Sequence, residues 1–141
     1  GLLAMDFLYK SSRIGIPATY HADAHTNLAT ASLLGPEDIV IAISYSGETR
    51  ETVLAAKAAK ERGAKVIAIT QANRNTLSRM ADYPLFVPGE EKELRVGAMT
   101  SRTSGLLILD LLYLGIAKHD PQRTEENLRQ TRDLIRAFQE E

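Results

Sequence analysis

Ile39-Val40-Ile41-Ala42-Ile43-Ser44-Tyr45-Ser46-Gly47-Glu48-Thr49 is the stretch that decides the fold. Five consecutive apolar residues run into a short loop of hydroxyls around one glycine, and an alanine-rich helical pattern follows from Thr49 to Arg62. Gly63 stands where a C-terminal helix cap belongs. A strand apolar on consecutive residues needs cover on both faces, as parallel strands inside an α/β sheet have. The loop then lies at the carboxyl end of a buried strand and holds the free N–H groups of the next helix. Those groups, with the positive end of the helix dipole behind them, favour an anion. Ser44, Ser46 and Thr49 add hydroxyl donors at a spacing that can converge on one small group. We read the loop as a binding site for a single phosphate. The alternative from local pattern is a hydroxyl-rich helix cap with no ligand. One cap needs one hydroxyl, and three are present.

The strand signature of Asp38 to Ile43 returns at Val66-Ile67-Ala68-Ile69, at a distance that suits one right-handed βαβ unit. Between them Gly35-Pro36 ends a helix expected across Asp23 to Leu34. Further toward the N-terminus, Leu3, Phe7 and Leu8 predict a helix over residues 1 to about 13, and Pro17 opens a short extended piece, Ala18 to His21. Beyond the βαβ unit the pattern predicts a short helix from Asn73 to Ala81. A strand at Leu85-Phe86-Val87 follows, and Pro84 and Pro88 place it near a sheet edge. Gly89 to Arg95 reads as a charged loop and Ala98 to Lys118 as a long helix. Asp120-Pro121 supply the N-cap and first residue of a last helix, with a narrow apolar seam of Leu128, Ile135 and Phe138. The expected fold is a single α/β domain over 1–141, doubly wound, with a mostly parallel sheet and helices on both faces.

Composition narrows the function. The 141 residues carry a net charge of −1, which leaves no basic footprint for nucleic acid. The absence of cysteine excludes disulfide scaffolds, thiolate chemistry and cysteine zinc sites, and it fits a cytoplasmic protein. Gly1 to Asp6 lack the basic start of a signal peptide, and the apolar stretch Leu106 to Ala117, broken by Asp110, is too short to span a membrane. The loop has no lysine for a Walker A motif and only Gly47 where a dinucleotide fingerprint needs three glycines, so no nucleotide cofactor is expected.

Ser44-Tyr45-Ser46-Gly47-Glu48-Thr49 resembles the S-x-S-G-x-T loop of the sugar isomerase (SIS) domain. The longer string Ile41 to Thr52 is closer to the RpiR/MurR-type bacterial transcriptional regulators, whose SIS domain senses a phosphosugar. Asp6-Phe7-x-x-Lys10, Arg13-Ile14-Gly15, Asp23-Ala24-His25, Gly63 to Thr70, Glu93 to Arg102 and Asp110 agree with it. The resemblance implies a five-stranded parallel sheet and a homodimer, or a tetramer, with ligand sites near the subunit interface. It assigns the phosphate to Ser44, Ser46 and Thr49, with backbone N–H groups around Tyr45, Gly47 and Glu48. The family also has a first strand and a G-x-G-x-S loop, expected just before Gly1 and lacking here, as is the family's helix-turn-helix domain, through which alone DNA would be bound. Gly105 stands where relatives commonly have glutamine, at a cost of ~1 kcal/mol against alanine in a helix. Close helix packing would explain it.

Candidates for the sugar are Glu48, Glu93, Arg95, Ser101, Arg102 and His25. Arginine suits phosphate because its fork donates two hydrogen bonds at once. Glu48 would repel a phosphate at close range, so it is expected to turn toward ligand hydroxyls or a helix terminus. An isomerase would need a base, and Glu93 with His21 or His25 can be cast in that role. The plainer reading of Glu90, Glu91 and Glu93 is a solvated loop. Asp23 and His25 lack a third metal ligand, His119 fits a helix C-terminus, and Asp110 in an apolar helix must be paired. The leading expectation is a phosphosugar-sensing, dimerising effector domain without catalysis. A phosphosugar isomerase or lyase and a purely structural dimerisation module are the alternatives.

Overall fold

The computed structural model describes residues 1–88 and 99–139. Its elements run α1 (Leu2–Arg13), α2 (Ala24–Ala31), β1 (Ile39–Ile43), α3 (Arg50–Glu61), β2 (Lys65–Gln71), α4 (Thr76–Met80), β3 (Tyr83–Val87), α5 (Met99–His119) and α6 (Pro121–Gln139). The strands form one parallel sheet in the order β1-β2-β3, so β3, with its proline, is an edge strand. Ile39 pairs with Lys65 and Ile43 with Ile69, while Ile67 pairs with Tyr83 and Gln71 with Val87. The α/β class with a parallel sheet is therefore as the apolar runs predict.

By contact density the chain divides into two units. The unit from His21 to Ile108 holds the sheet and the candidate loop. Its core is made of small residues: Ala42, Val66 and Ala68 on one face of the sheet meet Ala56 of α3 and Leu77 of α4. Alanines on both sides let the helices lie close to the strands. A second cluster, Ala31, Ala59 and Ala64, joins α2 to α3. The far end of α3 closes on Gly63 at φ +94°, where Gly63 N–H donates to Lys60 O and Ala64 N–H to Ala59 O. That is the glycine cap expected at this position.

The other unit comprises Gly1–Tyr20 and Leu109–Glu141. Here the Lys10 ammonium donates to Asp6 and to Asp110, at 2.6 Å each, which supplies the partner that Asp110 requires. Asn127 of α6 donates to Ile14 O at 2.9 Å. Asp120 caps α6 through Arg123 N–H, as read. Leu128 of the seam is half-buried, whereas Ile135 is 53% and Phe138 81% exposed. Gly105, in the α5 segment of the sheet-bearing unit, is buried.

Two expectations, the number of strands and the start of the fourth helix, differ from the structure. Among the described residues the sheet has three strands, not the five that the resemblance implies. The piece Ala18 to His21 is neither helix nor ladder strand: His21 N–H donates to Asn27 Oδ1 and His21 O accepts from Asn27 Nδ2, so a side chain of α2 takes up its backbone groups. The fourth helix starts at Thr76, not Asn73, because Asn75 and Ser78 cap it reciprocally. The charged loop from Gly89 to Arg95 lies outside the described residues.

Candidate functional site

The loop after β1 is shaped by where its carbonyls go. Ser44 N–H continues the ladder by donating to Ile69 O at 3.0 Å. Gly47 N–H turns back onto Ser44 O at 3.1 Å and Ser44 Oγ at 3.2 Å. Tyr45 O accepts from Gln71 N–H at 2.9 Å and from the Thr70 hydroxyl at 3.1 Å. Gly47 O accepts from Leu77 N–H at 3.0 Å. These acceptors are drawn back into the protein by the segment from β2 to α4.

The donors are left over. Thr49 is the N-cap of α3 but its hydroxyl does not cap; it meets Ser44 Oγ at 2.8 Å. Ser44 is buried and Thr49 exposed. The orientation that leaves no buried proton unpaired has Ser44 donating, which frees the Thr49 proton on the exposed side. Ser46 Oγ accepts from Glu48 N–H at 3.2 Å and keeps its own proton. Among the described residues, no acceptor meets the N–H groups of Arg50, Glu51 or Thr52 in the first turn of α3. Hydroxyl protons and helix N–H groups with no internal acceptor are donors of the kind an anion takes, and the α3 dipole favours negative charge beside them.

Glu48 shows how the loop tolerates a carboxylate. Its Oε1 accepts from Thr76 N–H at 2.7 Å, so it caps α4. Thr76, through hydroxyl and N–H, and to a lesser degree the charge of Arg79 hold its carboxyl below the usual range. Of the two orientations expected for Glu48, the helix terminus is the one observed.

Two residues missed by sequence reasoning hold this arrangement. Asn75 is 3% and Thr70 0% exposed. Asn75 Nδ2 donates to Thr70 Oγ1 at 3.0 Å and to Asn73 Oδ1 at 2.9 Å, while its Oδ1 accepts from Ser78 N–H at 2.8 Å. Gly47 lies against Asn75, at φ +68° and so close that a Cβ there would stand 2.0 Å from Oδ1. Asn75 and Ser78, at N-cap and N3 spacing, were the available signal.

The remaining candidates are less closely joined. His25 is exposed on α2, and no hydrogen bond or ion pair links it or Arg102 to Ser44, Ser46 or Thr49. Ser101 and Arg102 stand in the first turn of α5. Glu93 and Arg95 lie outside the described residues. The Asp23 carboxylate accepts from Thr26 N–H and hydroxyl, at 2.7 and 2.6 Å, which caps α2. Among the described residues no group of acidic, histidine and cysteine side chains could hold a metal, and no helix is long and apolar enough to cross a membrane.

The same arrangement of strand, loop and helix has relatives. The model of the SIS domain matches residues 1–115. An HTH-type transcriptional regulator of Caldanaerobacter subterraneus subsp. tengcongensis is 38% identical over 135 residues, covering 96% of this chain and 48% of the regulator. The chain thus spans about half the length of the curated relatives it matches. Among solved structures, the Vibrio vulnificus NanR protein complexed with ManNAc-6P aligns with a TM-score of 0.86 at 27% identity, over 98% of this chain and 53% of that one. The sugar isomerase domain of an RpiR transcription factor from Sphaerobacter thermophilus aligns with a TM-score of 0.76 at 27% identity, over 94% and 72%. On the family match, which takes in the parallel sheet, the hydroxyl loop and most of α5, the chain belongs to the SIS domain family.

Proposed function

We propose that residues 1–141 act as a phosphosugar-sensing, dimerising effector domain of an RpiR-type transcription regulator. One observation carries the reading: the loop after β1 directs its acceptors inward and leaves hydroxyl and α3 N–H donors for one anion. The phosphate would be held by the Ser46 and Thr49 hydroxyls and the N–H groups of the α3 N-terminus, whereas Ser44 and the Gly47 N–H, spent on bonds inside the loop, orient Thr49 from behind. Ser101, Arg102 and His25, with Glu93 and Arg95, would select the sugar; Glu48 leaves that set because it caps α4. HTH-type regulators among the relatives, and a NanR structure holding ManNAc-6P, support a sensor over an enzyme. DNA would be reached through a helix-turn-helix domain, in a cytoplasmic homodimer or tetramer. Phosphosugar would act by binding one arrangement of subunits more tightly than another.

The test is calorimetric titration with a panel of hexose and hexosamine 6-phosphates, N-acetylmannosamine 6-phosphate included, beside their unphosphorylated sugars. We expect at least one phosphorylated member to bind, its unphosphorylated partner not to, and the ³¹P spectrum of the bound sugar to stay unchanged over hours. A folded protein that binds none of them refutes the sensor, and conversion of the ligand replaces it with an isomerase.

A further inference from the structure

The contacts behind the loop come from residues 70 to 77, and they meet at one side chain. Thr70 donates to Tyr45 O and accepts from Asn75 Nδ2. Leu77 N–H, two residues past Asn75, donates to Gly47 O, and Thr76 N–H, next to it, fixes Glu48. Asn75 itself fills the space beside Gly47 that any other residue's Cβ would need. Its amide is used on both sides: the oxygen caps α4 at Ser78, and the nitrogen points toward Thr70 and Asn73. A buried side chain so fully paired is held in its rotamer, and the loop at Gly47 lies directly against it.

We infer that Asn75 is a positioning residue for the anion loop, holding Tyr45 and Gly47, through Thr70 and by direct contact, in the conformation whose carbonyls face away from the ligand. The inference rests on the phosphate reading and adds to it a residue that need not touch the anion. Its specific content is electrostatic. If Tyr45 O or Gly47 O swung outward, a negative dipole end would face a phosphate; Asn75 and its neighbours keep both engaged.

Asn75→Asp separates this role from capping. Aspartate and asparagine are near-equal N-caps, so the bond from Ser78 N–H survives. The donor to Thr70 is lost and a carboxylate is set against Gly47. Inorganic phosphate is titrated into the wild-type chain, Asn75→Asp and Thr70→Val, each also melted thermally. Asn75→Asp, which buries a carboxylate beside the Asn73 acceptor, is expected to melt below the wild type and to bind phosphate more weakly by a factor on the order of ten. Thr70→Val, which loses both neutral hydrogen bonds of the Thr70 hydroxyl, to Tyr45 O and from Asn75 Nδ2, is expected to lose about fivefold or more. The ratio of wild-type to Thr70→Val affinity, where no charge is introduced, should widen as rising pH converts phosphate from monoanion to dianion. A merely structural lesion would keep that ratio constant. Phosphate binding in Asn75→Asp equal to the wild type, or a ratio flat with pH, overturns the inference and leaves the phosphate reading standing. A wild type that binds neither phosphate nor any phosphosugar removes both. Should Asn75→Asp fail to fold, Thr70→Val decides, with unchanged affinity as the refuting result.

Discussion

Alanine at position 47 would bring a Cβ to 2.0 Å from Asn75 Oδ1 on a backbone held at φ +68°. The left-handed conformation costs a non-glycine residue roughly 1–2 kcal/mol, and forcing an atom into a filled space adds about 1–3 kcal/mol. Gly47→Ala should therefore shift the urea midpoint well below wild type with the m-value unchanged, and an unshifted midpoint would contradict the geometry. Glu48 gives a second prediction for single residues, in pH. Its carboxyl is held below its ordinary value, first by Thr76 and further by Arg79. A depressed acid contributes in full above its unfolded pKa of about 4.3 and loses that contribution as pH falls through the lower folded value. Between pH 5 and 3, in urea unfolding, stability should then decline less steeply in Glu48→Gln than in the wild type. Equal slopes would mean the α4 cap is not linked to that proton.

The elements show what a linear pattern conveys. β1, α3 and β2 were readable because each is specified locally: consecutive Ile and Val, an alanine stripe, and Gly63 where the chain reverses its handedness. Asp120-Pro121 was readable for the same reason. Ala18 to His21 was read as extended after Pro17, whereas its anchoring by Asn27 on the following helix was not visible in the local pattern. The start of α4 was misplaced because Asn73 and Asn75 both look like caps; what selects Asn75 is its burial under the loop. That short helix is held by packing more than by its own bonds, since isolated helices of this length are not stable. Leu77 is fully buried between it and the sheet. Leu77→Ala should cost about 2–5 kcal/mol in equilibrium unfolding. A loss under half a kcal/mol would show that α4 contributes little to the core.

At the scale of the molecule, ligand and stability are linked. A phosphosugar that binds only the folded chain adds about 2.7 kcal/mol at a hundredfold excess over its dissociation constant. Thermal scanning with increasing ligand should then show a rise of about 4 °C or more, whereas a midpoint independent of concentration would mean no linked binding. The candidate loop was legible in the sequence because its hydroxyls lie within six residues, Ser44 to Thr49. Its support was not, because Thr76 is 28 residues beyond Glu48 and the contact exists only once β2 and α4 have folded back. This has a bearing on protein engineering. Moving the hexapeptide 44–49 alone onto another α/β scaffold would transplant the hydroxyls proposed for the ligand without the segment from β2 to α4 that they pack against. A portable graft has to carry residues 70–78 as a second insert, and a library aimed at a new oxyanion should randomise positions 47, 70 and 75 jointly.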